Sequence, residues 1–142
     1  MSFFDTDEVV ARRVGCGVAE FWGTRGEAAF RNMEAAALKT VADGDGSVNA
    51  TGGGAVLSEA NCNLMRDTGK VVWLRATPAT LASRLAQVDS RPLLVEGASA
   101  DTLTQILVDR TSAYSRAAHW EVETDPLDED AVVQEIEDWW NE

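Results

Sequence analysis

The chain has 142 residues, 45% hydrophobic and 25% charged, which is the composition of one globular domain with a core of its own. No stretch approaches the ~18 consecutive apolar residues of a membrane span, and MSFFDTDEVV has no basic segment followed by an apolar one, so neither a membrane partner nor a secretory signal is expected and the expected location is cytoplasmic. The net charge of −12, with Lys only at positions 39 and 70, argues against a nucleic-acid partner, whose phosphates demand clustered cations. Any anion site has to be built locally from the ten arginines, against the field of the whole chain.

In chain order, SFFD reads as a short strand ending in acids. Thr6 or Asp7 then caps a helix with Val9, Val10 and Val14 on its apolar side, closed by Gly15 and Gly17. VAEFWGTRG is a short helix stopping at a glycine. A longer helix from Glu27 to Ala42 follows, with Phe30, Met33, Ala37 and Val41 at helical spacing. GDGS turns the chain, and SVNAT is a strand that runs into three glycines. Ser58 caps the next helix, and Gly69 stops it. KVVWLRA is the clearest strand, a continuous apolar run of the kind found where both sheet faces are covered. Thr77 and Pro78 open a further helix, VDSRPLLVEGASAD is a loop, and ADTLTQILVDRTSAYSRAA is a helix with Leu103, Ile106, Leu107 and Val108 among its apolar positions. HWEVET is a strand and AVVQEIEDWW a closing amphipathic helix, whose Trp139 and Trp140 read as core cover. Strands alternating with helices imply a single α/β domain over residues 1–142, a parallel sheet flanked by helices in three layers.

Cys16 and Cys62 have no metal-type spacing and read as reduced thiols, and the single histidine, His119, reads as structural. The run Gly52-Gly53-Gly54 follows a strand, where ligands of open α/β sheets bind. It is not a Walker A loop, because no GK[ST] occurs anywhere in the sequence. Read alone, Asp5 and Asp7 are helix-cap acids, Glu34 is a surface charge and Arg31 a solvated helix arginine.

FFDTDEVV, GEAAFRNME, ATGGGAV, SRPLL and DRTSAYSRAA stand in that order across residues 3 to 140, and together they resemble the shikimate kinases, small P-loop kinases of the nucleoside-monophosphate-kinase type. The resemblance implies ATP-dependent phosphorylation of the shikimate 3-hydroxyl in aromatic amino acid biosynthesis, with Mg²⁺ and ATP as cofactors. It implies that Asp7 hydrogen-bonds the ring hydroxyls, that Arg31 and Arg110 grip the substrate carboxylate, and that Gly53 and Gly54 let backbone N–H groups approach the substrate. It assigns Arg91 to the lid that stabilises the transferred phosphoryl group, Arg84 to the nucleotide base, and Asp5 to the magnesium through water.

The family begins with a strand, a Walker A loop and a helix, and Met1 here stands two residues before the matching FFDTD. In the family's strand order 2-3-1-4-5 that first strand is the central one. Its absence from these 142 residues predicts little or no kinase activity for the chain alone. The alternative is a degenerate homologue that binds shikimate or a partner chain without using ATP. The family is monomeric; here the sheet is expected either to pair SVNAT directly with KVVWLRA or to take a strand from a partner or from self-association.

Overall fold

The computed structural model describes residues 1–87 and 99–142. Among these the chain forms two compact units, the first being Met1–Gly69 and the second starting at Lys70.

In the first unit, β1 (Ser2–Asp5) pairs in parallel with β2 (Ser47–Ala50), with Phe3 opposite Val48 and Asp5 opposite Ala50. Between them lie α1 (Thr6–Val14) and α2 (Val18–Ala42). Of the cap candidates Asp5, Thr6 and Asp7, the structure uses Asp5. The strand runs straight into the helix, so its last extended residue takes the cap position, and its carboxylate accepts from the Asp7 N–H at 2.9 Å. Thr6 is thereby drawn into the helix and buried. Gly15 closes α1 in the left-handed region at φ 77°, as the sequence suggests. The two helical stretches expected on either side of Gly26 are both present within α2, parted at that residue, whose non-helical φ of 85° and ψ of 173° suit only glycine. Val10, Phe21, Phe30 and Ala37 make the core between α1 and α2, with Trp22 and Met33 packed against it. The chain then makes a 3-10 turn at Ala55–Leu57 and enters α3 (Glu59–Thr68), capped by Ser58 and stopped at Gly69 as expected.

In the second unit, β3 (Val72–Arg75) pairs in parallel with β4 (Trp120–Glu123), surrounded by α4 (Pro78–Leu85), α5 (Ala100–Ala117) and α6 (Glu129–Asn141). Thr77 caps α4 with Pro78 in first place, and Ser99 and Asp128 cap α5 and α6. His119 is structural: its backbone N–H donates to the Val71 carbonyl at 2.8 Å, while its Nδ1 accepts from the Val71 N–H at 3.0 Å, fixing the start of the ladder. Trp139 stacks on Trp120 at 5.4 Å, and Lys70 lies over both terminal indoles and donates to the Trp140 carbonyl, so this pair braces the helix end.

One expectation about the strands is corrected. The strand KVVWLRA is not covered on both faces by the described residues, since Leu74 is 55% exposed: an apolar run marks a strand, but its cover depends on what packs there. Among the described residues each ladder has two strands, β1 with β2 and β3 with β4. The pairing within each ladder is parallel, as the alternation of strands and helices requires. Neither cysteine forms a disulfide, and Cys62 is buried.

Candidate functional site

Parallel pairing of β1 and β2 delivers whatever follows each strand to the same end of the ladder. After β1 comes the first turn of α1, with Asp7; after β2 comes the glycine run. The post-kink part of α2 brings Arg31 and Glu34, three residues apart and therefore on one helix face.

These parts converge on the glycines. A Cβ placed on Gly52 would stand 3.2 Å from Glu34 Oε2 and 3.5 Å from Asp7 Oδ1, so two carboxylates meet over that residue. A Cβ on Gly54 would lie 2.6 Å from the Arg31 Cζ, and closer still to both terminal nitrogens. Gly53, between them, is exposed. The loop is pinned from below: the buried Asn61 side chain donates to the Ala55 carbonyl at 3.1 Å, and the Cys62 thiol donates to the Val56 carbonyl at 3.3 Å.

Arg31 is held on several sides. Its Nη1 pairs with Glu34 Oε1 at 2.9 Å and its Nε faces Glu27 at 3.6 Å. Its Cζ lies 5.4 Å from the ring centroids of both Trp22 and Phe30, which contact each other. Its side chain keeps only 20% of its surface exposed, so it is not the solvated helix arginine that its position alone would allow. Glu34, read from the sequence as a surface charge, is 1% exposed, because the glycine loop and Arg31 close over it. Such a buried charge persists where a counter-charge accompanies it. Arg31 and Glu34 also wall a groove of about 590 Å³ running past Gly54, Ser58 and Asn61, a volume suited to a small molecule.

Asp5, Asp7, Arg31, Gly53 and Gly54 thus belong to the first unit and surround one strand end. Arg110 is half-buried on α5 in the second unit. Arg84, on α4, donates to the Thr124 Oγ1 at 3.0 Å and to the Thr124 carbonyl at 3.4 Å. Arg91 lies outside the described residues. Glu34 and Trp22 are the site neighbours that the sequence reading missed. For Glu34 a signal was present, since its spacing from Arg31 is that of an intrahelical ion pair.

Close to Arg84, Asp125 accepts from the Thr77 N–H at 2.9 Å. Hydrogen bonds from the Thr77 side chain and backbone, then from Thr80, with the Arg84 charge adding to them, hold its carboxyl below the ordinary value. A depressed folded-state pKa contributes stability that is present above 3.8 and lost as the pH falls through the folded value. Asp125→Asn is therefore expected to flatten the fall in Tm at the acid end of a pH series, measured by thermal unfolding from pH 6 down to about pH 2.5. An unchanged acid limb would contradict this.

A sequence model of the family described as shikimate kinase matches residues 1–141. The shikimate kinase of Moorella thermoacetica is 40% identical over 137 residues, covering 96% of this chain and 78% of that protein. That of Chromohalobacter salexigens is 38% identical over 134 residues, covering 94% of this chain and 74% of that protein. Among solved structures, shikimate kinase from Acinetobacter baumannii in complex with shikimate superposes with a TM-score of 0.89 at 29% identity, covering 97% of this chain and 77% of that one. Shikimate kinase from Bacteroides thetaiotaomicron gives 0.87 at 32% identity, covering 100% and 85%. The ordered motifs, the parallel α/β pairing and the charged cluster around the glycines agree with these likenesses: the chain belongs to the shikimate kinase family.

Proposed function

We propose that this chain binds shikimate at the strand end ringed by Asp7, Arg31, Glu34 and Gly52–Gly54, and presents the 3-hydroxyl for phosphorylation by ATP. The observation that carries the reading is the convergence of one guanidinium and two carboxylates on a loop with no side chains. A carboxylated polyol needs that set: a fork of N–H donors for its carboxylate, and acceptors for its hydroxyls. Arg31 holds the carboxylate, with Arg110 as the second cation. Asp7 accepts from the reacting hydroxyl and aligns its oxygen, Glu34 keeps Arg31 in register, and the Gly53 backbone approaches the ring. Arg91 stabilises charge on the transferred phosphoryl, and Arg84 serves the nucleotide.

ATP, when bound, supplies the phosphoryl group. For Mg²⁺ the residues present fit a water-mediated role. Asp5 is a single carboxylate with Oδ1 engaged by the Asp7 N–H, and among the described residues no trio of His, Cys, Asp or Glu side chains gathers around a metal position. Magnesium keeps several waters and takes one or two carboxylates with phosphate oxygens, which matches that supply.

A second reading, shikimate binding without phosphoryl transfer by these 142 residues alone, is favoured by the lack of any GxxxxGK[ST] stretch within them. Both readings require the same acceptor pocket. Asp7→Asn keeps the size and removes the charge, and is expected to weaken shikimate binding by roughly 10- to 100-fold, the worth of one hydrogen bond to a charged group. Calorimetric titration of both proteins checks it; equal affinities would remove Asp7 from the site.

A further inference from the structure

The backbone of Gly54 has φ −87° and ψ −5°, an ordinary right-handed conformation that any residue adopts. Its glycine is therefore not explained by backbone freedom. What a side chain there would meet is the end of Arg31, whose Cζ lies 2.6 Å from the position of the first carbon.

The two sides of that contact are not equally able to yield. Gly54 sits in a loop tied by its own carbonyl to the Leu57 N–H at 3.1 Å, and by Asn61 and Cys62 to the next two carbonyls. Arg31 is the far end of a long side chain. Its guanidinium is bounded by the rings of Trp22 and Phe30 and tethered by Glu34 on Nη1, while among the described residues Nη2 has no hydrogen-bond partner. Among the described residues no acceptor fixes Nη2, and the space it occupies is the space a Gly54 side chain would fill.

We infer that Gly54 is a positioning residue for Arg31: the absent side chain, rather than backbone freedom or direct substrate contact, sets where the guanidinium stands and hence which carboxylate geometry the site accepts. The consequence for recognition rests on the proposed reading of Arg31 as the carboxylate grip. Gly52 differs. A Cβ there would meet Glu34 and Asp7 at 3.2 and 3.5 Å, distances that small shifts relieve.

The test is Gly54→Ala, examined first without ligand. The expected crystal structure shows an unchanged loop and an Arg31 guanidinium displaced by about 1 Å, the difference between 2.6 Å and an ordinary carbon contact of ~3.5 Å. Its thermal midpoint is expected to equal or exceed that of the parent, because alanine in a compatible conformation restricts the unfolded chain. Shikimate affinity is expected to fall by roughly 10- to 100-fold, the worth of one hydrogen bond to a charged group. In an Arg31→Lys background, whose compact ammonium leaves room for the methyl group, the same Gly54→Ala change is expected to cost less than about threefold. An unmoved guanidinium, or the same affinity loss in both backgrounds, overturns the inference. If the parent binds no shikimate while Arg31 still moves in Gly54→Ala, the positioning role stands and the carboxylate reading of Arg31 falls.

Discussion

Replacing Arg31 by methionine is expected to weaken shikimate binding by at least about 30-fold, the lower end of the ~2–5 kcal/mol cost of truncating one member of a buried charge pair. The same change leaves the Glu34 carboxylate, 1% exposed, without the guanidinium at 2.9 Å. Breaking a buried pair from one side costs about 3–5 kcal/mol, and the lower figure applies because Arg31 keeps 20% of its side-chain surface in water. Chemical denaturation of the parent and of Arg31→Met measures the stability term directly. A variant as stable as the parent would mean that Glu34 is carried by other contacts. Restoring stability, but not binding, in the double variant Arg31→Met/Glu34→Gln would separate the structural part of the pair from the recognition part.

Phe30→Ala is expected to be the most damaging single truncation in the first unit, at about 3–5 kcal/mol. Phe30 is 3% exposed in the core with Val10, Phe21 and Ala37, lies against Trp22, and forms one of the two rings beside Arg31. Its loss opens a cavity and unseats the guanidinium, so affinity should fall in the fraction that remains folded. Urea unfolding gives the first number and a titration below the unfolding transition gives the second. A loss under about 1 kcal/mol would show that α1 and α2 collapse around the gap.

The secondary structure was legible where local chemistry decides it. Ser58, Thr77 with Pro78, Gly15 and Gly69 mark element ends through caps and backbone conformations that act over a few residues. The cap of α1 was left open because Asp5, Thr6 and Asp7 are all good caps; the choice among them depends on how far β1 extends through its pairing with β2. Leu74 was misread for a related reason. Its apolar neighbours predict a strand, but cover on both faces depends on what packs there.

The site was legible in part. Asp7 and Arg31 were singled out through ordered motifs, and the structure sets both beside the glycines. Glu34 looked like one more charge on an exposed helix, because nothing within FRNME reveals that the loop after β2 closes over it. The glycines were read as room for a ligand. Gly52 and Gly54 lie against Asp7, Glu34 and Arg31, and those side chains occupy the space first. Burial of a charge is a tertiary fact, and no spacing rule supplies it.

The most direct measurement is a calorimetric titration of shikimate into the wild-type chain and into Arg31→Met, with circular dichroism confirming that both are folded at the working temperature. The account predicts saturable one-to-one binding by the wild type, weakened at least about 30-fold in the variant. A folded wild-type chain that binds no shikimate, or a variant that binds it as well as the wild type, would contradict the account.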